Sequence, residues 1–218
     1  MASTPTSVNR RLGVLISGRG SNLQAIVDAI AVGRLDATIA VVISNRGDAE
    51  GLERARKAGV EAVCLPSSSW PNRRDYDLAL VRELRARDVG LVLLAGFMRL
   101  VGPPLLEAYP DAILNIHPSL LPAFPGLDAP RQALEHGVKV AGVTVHLVTA
   151  ELDGGPIIVQ RVVQIEAGDT PESLAARILV EEHIAYPDAV RRILAGGWRV
   201  EGRRFVEAPP TQRSSVST

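Results

Sequence analysis

The chain carries the stretch Ala112-Ile113-Leu114-Asn115-Ile116-His117-Pro118-Ser119-Leu120-Leu121-Pro122, an apolar run that two polar side chains interrupt before a proline. Such runs form buried strands, and side chains alternate along a strand, so Asn115 and His117 are predicted on the same side. Pro118 disfavours the helical region for His117 and cannot donate to a strand ladder, so the strand ends there. The stretch predicts an amide and an imidazole at the carboxyl end of a strand, where open parallel sheets bind ligands. Taken alone, the pair is also explained as side chains that cap a turn.

Upstream of this stretch, apolar segments alternate with helical patterns. Strands are predicted at 12–16, 37–44, 60–65 and 89–95, and helices after Asn22, over 49–58, over 75–88 and around Leu105 and Leu106. Strands that interleave with helices are typical of βαβ units. The pattern predicts an α/β fold with a Rossmann-like, doubly wound, mostly parallel sheet, in which the opening stretch is the fifth strand.

Downstream, the pattern changes. Four prolines make 118–130 an irregular loop, and a short helix is predicted at 132–136. Strands are predicted at 140–148 and 157–165, and the gap between them is too short for a crossover helix, so this C-terminal pair is expected to be antiparallel. A long C-terminal helix begins at Thr170 and ends at Gly196-Gly197, and a small hairpin covers 198–206.

Length and composition fit one folded domain. The chain has 218 residues, and hydrophobic residues make up 46% of them, which is ample for a core. The segments 1–10 and 208–218 are rich in serine, threonine and proline and are predicted to be disordered tails. We therefore predict a single domain over 11–207.

Charge and cysteine content exclude several classes of protein. Lysine plus arginine and aspartate plus glutamate both number 24, so a broad nucleic-acid surface is not expected. Cys64 is the only cysteine, which excludes an intramolecular disulfide and favours a reducing compartment. No apolar stretch approaches the ~20 residues that span a bilayer, and the N-terminus lacks the apolar core of a secretory signal. We expect a cytoplasmic protein without nucleic-acid or membrane partners.

No histidine, cysteine or carboxylate set has metal-ligand spacing, so no metal is predicted.

A glycine-rich loop, Gly18-Arg19-Gly20-Ser21-Asn22, follows the first strand and opens a helix. Backbone amides at a helix N-terminus form a ready anion site. A dinucleotide fingerprint would have Gly or Ala where Leu23 stands, and an acidic residue where Ser44-Asn45-Arg46 ends the second strand. NAD is therefore disfavoured and a substrate phosphate is favoured. The loop is also explained as a tight turn with Ser21 as N-cap.

A carboxylate, Asp153, stands in Leu152-Asp153-Gly154-Gly155-Pro156, between the two late strands. The segment is explained as a plain hairpin loop, but the loop could also face the edge of the sheet that carries His117. There the carboxylate would orient the imidazole ring. His146, alone on its strand, is predicted to be structural. Gly-x-Ser-x-Gly is absent, which disfavours a serine hydrolase that uses Ser119.

Together these motifs resemble the phosphoribosylglycinamide formyltransferase family, within the wider formyltransferase superfamily. The matching segments are Gly18 to Ile26, Ser44-Asn45, Leu94 to Arg99, Leu114 to Pro122 and Glu151 to Pro156. Their order and spacing are kept from about Leu12 to Pro187. The resemblance implies transfer of a formyl group from 10-formyltetrahydrofolate, a cosubstrate, to the amine of glycinamide ribonucleotide in purine synthesis.

The resemblance also implies roles for individual residues. Asn115, His117 and Asp153 match the catalytic trio. The positions that match ribonucleotide binding are Gly20, Ser21, Asn22 and Glu182. The positions that match folate binding are Arg73, Phe97, Met98, Arg99, Val101, Val148 and Leu152. The family often has Lys or Gln where this chain has Leu179, so a phosphate contact is missing or is supplied elsewhere, for example by Arg177.

The chemistry and the resemblance agree on direct attack of the amine through a tetrahedral oxyanion. Asn115 and protonated His117 are expected to stabilise that oxyanion, and Asp153 is expected to assist. The alternatives are a formyltetrahydrofolate hydrolase, a methionyl-tRNA formyltransferase and a non-catalytic nucleotide-binding module. The first two are disfavoured because about eleven residues precede the first strand and little follows the terminal hairpin. The expected partners are small-molecule substrates, and the chain is expected to be a monomer or homodimer.

Overall fold

The structure is a computed structural model that describes residues 9–208. Within that range nine strands form one sheet, in the order β3-β2-β1-β4-β5-β6-β7-β9-β8. The first five strands are parallel to one another, and β6 runs antiparallel to both β5 and β7. The predicted fold class, a mostly parallel Rossmann-like sheet with an antiparallel C-terminal pair and a long C-terminal helix, is confirmed.

The N-terminal half contains the predicted βαβ units. Its strands are β1 (Arg11–Ile16), β2 (Thr38–Ser44), β3 (Ala62–Cys64), β4 (Leu91–Leu94) and β5 (Ile113–His117). Its helices are α1 (Ser21–Ala31), α2 (Glu50–Lys57), α3 (Arg73–Arg85) and α4 (Pro103–Ala108). A short 3-10 turn covers Ser67–Ser69.

The C-terminal half extends the same sheet. Its helices are α5 (Ala129–Glu135) and α6 (Pro171–Ala195), and its strands are β6 (Val140–Leu147), β7 (Ile157–Gln164), β8 (Trp198–Glu201) and β9 (Arg204–Glu207). The register of the antiparallel pair matters for the site, because it places Asn115 opposite His146 and His117 opposite Thr144.

Two apolar layers cover the sheet. One contains Leu23 of α1 and Ile178 and Tyr186 of α6, and the other contains Leu80 of α3 and Leu105 of α4. Tyr186 is fully buried, and its hydroxyl lies 3.0 Å from the carbonyl oxygen of Leu94 and 3.2 Å from that of Leu114. The hydroxyl therefore fixes α6 against the carboxyl end of β4 and the first residues of β5.

Two helices differ from their predicted bounds by three residues at one end. The helix predicted over 75–88 covers 73–85, because the Asn72 side chain accepts a hydrogen bond from the Asp75 amide (3.0 Å) and Asp88 has a positive φ of 52°. The helix predicted at 132–136 begins at Ala129, because Pro130 stands in the first turn, where a missing N–H costs nothing.

The predicted tails fall almost wholly on residues 1–8 and 209–218, which lie outside the described residues. Three described residues belong to those tails. Asn9 donates to the carbonyl of Asp88 (2.8 Å), Arg10 pairs with Asp36 (3.0 Å), and Ala208 donates to the carbonyl of Gly197 (2.6 Å). The single-domain boundaries stay a prediction. No helix between residues 9 and 208 is long and apolar enough to cross a membrane.

Candidate active site

The end of β5 brings Asn115 and His117 to one group of polar side chains, as alternation along the strand predicts. Nδ2 of Asn115 lies 3.2 Å from Nε2 of His146 and 3.5 Å from Oδ1 of Asp153. Nδ1 of His117 lies 3.5 Å from Oδ2 of the same Asp153 carboxylate. Asp153 therefore lies next to His117, as its expected role requires.

The connection between β6 and β7 carries Asp153 into this group. Asp153 has a positive φ of 50°, and its side chain is only 7% exposed. The amide of Gly126 donates to Oδ2 of Asp153 (2.8 Å), which ties the connection to the loop after β5. A Cβ at Gly155 would stand 1.8 Å from the carbonyl oxygen of Leu147, so only glycine permits this close return of the chain to β6.

Both ring nitrogens of His117 have neighbours. Nε2 lies 2.9 Å from the carbonyl oxygen of Phe124, and because a carbonyl only accepts, Nε2 carries a proton. Nδ1 then faces Asp153, and a second proton on the ring would stand between the imidazole and the carboxylate. His117 is 5% exposed. The backbone of the loop after β5 thus sets the orientation of the ring.

His146 is the residue whose part in this cluster the sequence prediction missed. Its Nδ1 lies 2.9 Å from the carbonyl oxygen of Leu147, so Nδ1 carries a proton and Nε2 is turned towards the cluster. That Nε2 lies 3.6 Å from Oδ1 of Asp153. The structure places two histidines against one buried carboxylate, and the structural role of His146 stays a prediction. Only the register of β5 against β6 reveals this placement, and the sequence contains no direct signal for it.

The environment keeps Asp153 ionised. Burial by itself raises the pKa of Asp153, but the neighbouring His146 ring, the hydrogen bond from the amide of Gly126 and the charge of His117 outweigh burial and hold that pKa below its ordinary value. The site therefore holds a fixed anion beside two imidazole rings.

A buried hydrogen-bond network fixes the turn that precedes Phe124. Oγ1 of Thr144 donates to the carbonyl of Ser119 (2.6 Å) and accepts from the amide of Leu121 (3.0 Å). Nε2 of Gln160 donates to the carbonyl of Leu121 (2.9 Å) and to Oγ1 of Thr144 (3.0 Å). Strands β6 and β7 thus hold the turn that positions the Phe124 carbonyl against His117.

A cavity of about 720 Å³ lies between the glycine-rich loop and α6. The ribonucleotide-side predictions, Gly20, Ser21, Asn22 and Glu182, all line it. The prediction of Ser21 as N-cap is wrong: Gly20, with φ 72°, is the N-cap, and no side chain caps α1. A Cβ on Gly20 would stand 2.7 Å from Cα of Gly51, so the loop needs glycine there. The first amides of α1 are left available to an anion.

Glu182 is joined to the loop by a short hydrogen bond. Nδ2 of Asn22 donates to Oε2 of Glu182 (2.6 Å) across the cavity wall. Burial raises the pKa of Glu182, and the hydrogen bond from Asn22 opposes that rise only in part. This carboxylate can accept hydrogen bonds from the hydroxyl or amine groups of a ligand.

The predicted folate-side residues lie mostly beside the second apolar layer. Phe97, Val101 and Val148 pack against it. Arg99 stands over the ring of Tyr76, with its guanidinium carbon 5.2 Å from the ring centroid. Met98 lines the 720 Å³ cavity, whereas the other six predicted folate residues do not. Leu152 is 55% exposed in the β6–β7 connection.

Two of these residues, Arg73 and Arg99, share an acidic neighbour. Burial raises the pKa of Asp77, and the Gly102 amide and the charges of Arg73 and Arg99 act against that rise. The amide of Gly102 donates to Oδ2 of Asp77 (2.8 Å). The two arginines therefore both lie close enough to Asp77 to interact with its carboxyl group.

Arg177 does not supply the phosphate contact that is missing at Leu179. Its guanidinium is paired with Asp169, with Nη1 at 2.8 Å from Oδ1 and Nη2 at 2.5 Å from Oδ2. Leu179 lines the cavity and Arg177 does not. Across residues 9–208, no group of three or more His, Cys, Asp or Glu side chains could hold a metal ion, and the expected absence of a metal stays a prediction.

Comparisons with known proteins agree on one family. Residues 10–190 match the family model described as formyl transferase. The chain is 47% identical over 190 residues to phosphoribosylglycinamide formyltransferase of Escherichia coli, an alignment that covers 87% of each chain. It is 42% identical over 185 residues to the Bacillus subtilis protein of the same name, covering 85% of this chain and 95% of that protein.

A solved structure shows the same architecture. Glycinamide ribonucleotide transformylase 1 of Symbiobacterium toebii superposes with a TM-score of 0.91 at 58% sequence identity, covering 92% of this chain and 95% of that one.

Proposed function

The chain belongs to the formyl transferase family, and we propose that it transfers the formyl group of 10-formyltetrahydrofolate to the amine of glycinamide ribonucleotide, a step of purine biosynthesis. One observation carries the proposal from the residues: Asn115, His117 and Asp153 meet at the end of β5. Ile116 and Pro118 of the same stretch line the cavity with the glycine-rich loop. A phosphorylated amine bound in that cavity would thus reach the polar cluster.

The reaction needs a place for developing negative charge. The amine nitrogen forms a bond to the formyl carbon, and the carbonyl electron pair moves onto the formyl oxygen. Nδ2 of Asn115 has two N–H groups; one faces Nε2 of His146 at 3.2 Å, and the other, whose contact with Asp153 is long at 3.5 Å, would turn to the oxyanion. Nε2 of His117 bonds to the Phe124 carbonyl and Nδ1 faces Asp153, so protonated His117 would stabilise the oxyanion through its positive charge.

Asp153 has two tasks in this scheme. Its buried carboxylate holds the imidazolium of His117, and with water it accepts the proton that the attacking amine loses. The tetrahedral intermediate then collapses, the bond from the formyl carbon to the folate nitrogen breaks, and that nitrogen takes up the proton. Tetrahydrofolate and formylated ribonucleotide leave, so atoms and charge balance without a formyl-enzyme.

The acceptor end and the folate end are assigned to different residues. Gly20, Ser21 and Asn22 would hold the phosphate at the N-terminus of α1, and Glu182 would bind the ribose side. Arg73 and Arg99 supply positive charge for the folate, whose glutamate tail is anionic. The apolar side chains Phe97, Met98, Val101, Val148 and Leu152 would contact its rings. Cytoplasmic localisation and a monomeric or homodimeric state are part of the same proposal.

An acceptor comparison tests the proposed function. Initial rates of tetrahydrofolate release from 10-formyltetrahydrofolate are measured with glycinamide ribonucleotide, with charged initiator tRNA and with buffer alone. We expect release to require glycinamide ribonucleotide and to yield one formylated ribonucleotide for each tetrahydrofolate. Release that is as fast in buffer alone would identify a hydrolase, a requirement for tRNA would identify the tRNA enzyme, and no release with any acceptor would indicate a binding module.

A further inference from the structure

The charges that line the cavity are unfavourable for a phosphate, with one exception. Glu172, in the first turn of α6, and Glu182 both contribute carboxylates to its wall. Leu179 and the alanines beside it make the rest of that wall apolar. Arg19, in the middle of the glycine-rich loop, is the one lysine or arginine that lines the cavity among the described residues. A doubly charged phosphate in this cavity therefore depends on Arg19 for a neutralising side chain.

The backbone of Arg19 is fixed while its guanidinium is free to bind. Nε of Arg54 donates to the Arg19 carbonyl (2.8 Å), and the amide of Gly51 donates to the Gly18 carbonyl (3.0 Å), so α2 supports the loop from behind. Arg19 is exposed, and its guanidinium makes neither a hydrogen bond nor an ion pair within residues 9–208. Arg177, by contrast, is already paired with Asp169.

We propose that Arg19 is the phosphate-binding side chain of this chain and sets its preference for a phosphorylated acceptor. The inference rests on the proposed function and names the side chain that binds the phosphate of the acceptor. A guanidinium presents two parallel N–H donors that fit a phosphate bidentately, which a helix N-terminus alone does not provide. Arg19 adds charge from the loop, whereas the α6 residues that line the cavity include no cation.

The test compares two acceptors in wild type and in Arg19→Ala. The acceptors are glycinamide ribonucleotide and the same molecule without its phosphate. For the ribonucleotide we expect KM to rise about tenfold in Arg19→Ala with little change in kcat, because a partly exposed charge contact to phosphate is lost. For the unphosphorylated acceptor we expect the same KM in both proteins. Arg19→Lys keeps the charge without the bidentate fork and should restore part of the affinity.

Arg34→Ala is the matched control. Arg34 is exposed and lies just past the C-terminal end of α1. The 11 residues of this helix place that end about 16 Å from the glycine-rich loop, so removal of Arg34 changes the net charge but not the cavity. Leu179→Lys in the Arg19→Ala background places a new cation on the opposite wall and should lower KM for the ribonucleotide again.

Binding of inorganic phosphate and of glycinamide ribonucleotide, measured by calorimetry, separates this inference from the proposed function. Weaker binding of both in Arg19→Ala, but not in Arg34→Ala, supports the inference even if no formyl transfer is seen. If wild type transfers formyl groups to glycinamide ribonucleotide but Arg19→Ala changes KM for neither acceptor, or for both acceptors equally, then the inference is overturned and the proposed function stands.

Discussion

Replacing Asp153 with asparagine removes the charge that faces His117 and leaves the shape of the site intact. Asparagine tolerates the positive φ of 50° at this position and can still accept the amide hydrogen of Gly126. A carboxylate and an imidazolium 3.5 Å apart attract each other by about 5 kcal/mol at an effective dielectric constant of about 20. The side chain is 7% exposed, so little of this is screened by solvent. The dipole of the asparagine amide replaces a small part of this attraction. We therefore expect the variant to lose ~4 kcal/mol of transition-state stabilisation, which lowers kcat about a thousandfold.

The assay is the steady-state rate of formyl transfer to glycinamide ribonucleotide, with thermal unfolding followed in parallel. Asp111→Asn is the control, because Asp111 is exposed, has a positive φ of 52° and stands before β5, away from the cluster. We expect Asp111→Asn to keep wild-type turnover and both variants to stay folded. A folded Asp153→Asn protein with kcat within about threefold of wild type would refute the assigned role of the carboxylate.

Three further predictions concern the oxyanion, the supporting network and the acceptor site. Asn115→Ala removes one oxyanion donor and should lower kcat about a hundredfold, ~3 kcal/mol, in a folded protein; near wild-type turnover would contradict the assignment. Gln160→Ala removes two hydrogen bonds to the turn that positions the Phe124 carbonyl and should lower kcat about tenfold, whereas Gln164→Ala on the same strand should not; equal rates would exclude a positioning role. Because the pKa of Glu182 is raised and that of Asp153 is lowered, acidification protonates Glu182 first, so KM for the ribonucleotide should rise before kcat falls. In Glu182→Gln, KM for the ribonucleotide should stay constant over the pH range in which the wild-type KM rises. A wild-type KM that stays constant while kcat falls would contradict the predicted order of protonation.

The parts of the site that follow local rules could be predicted from the sequence. Alternation along a strand places Asn115 and His117 together, and the proline after them ends the strand at the edge of the sheet where ligands bind. The short gap over 149–156 predicts an antiparallel return. These conclusions need only the backbone geometry of a few consecutive residues, whereas the approach of Asp153 to His117 is seen only in the structure.

Other parts depend on contacts between distant segments and could not be predicted. His146 enters the cluster because of the register of β5 against β6, which no local pattern specifies. The partner of His117 Nε2 is a backbone carbonyl in the irregular loop that follows Pro118, where side-chain identity carries no information. Arg177 lies two residues before Leu179 on α6 and is a reasonable phosphate ligand from the sequence. In the structure its guanidinium is paired with Asp169, just before that helix.

The central claim is that the cluster at the end of β5 transfers a formyl group directly from folate to the ribonucleotide amine. It is tested most directly by a single turnover with 10-formyltetrahydrofolate that carries ¹³C in the formyl group, quenched over time and analysed by mass spectrometry of both protein and products. We expect the label to pass to the glycinamide ribonucleotide amine as tetrahydrofolate appears, with the protein unlabelled throughout. Label that appears first on the protein, for example on Cys64, or that leaves as formate while the ribonucleotide stays unlabelled, would contradict direct transfer.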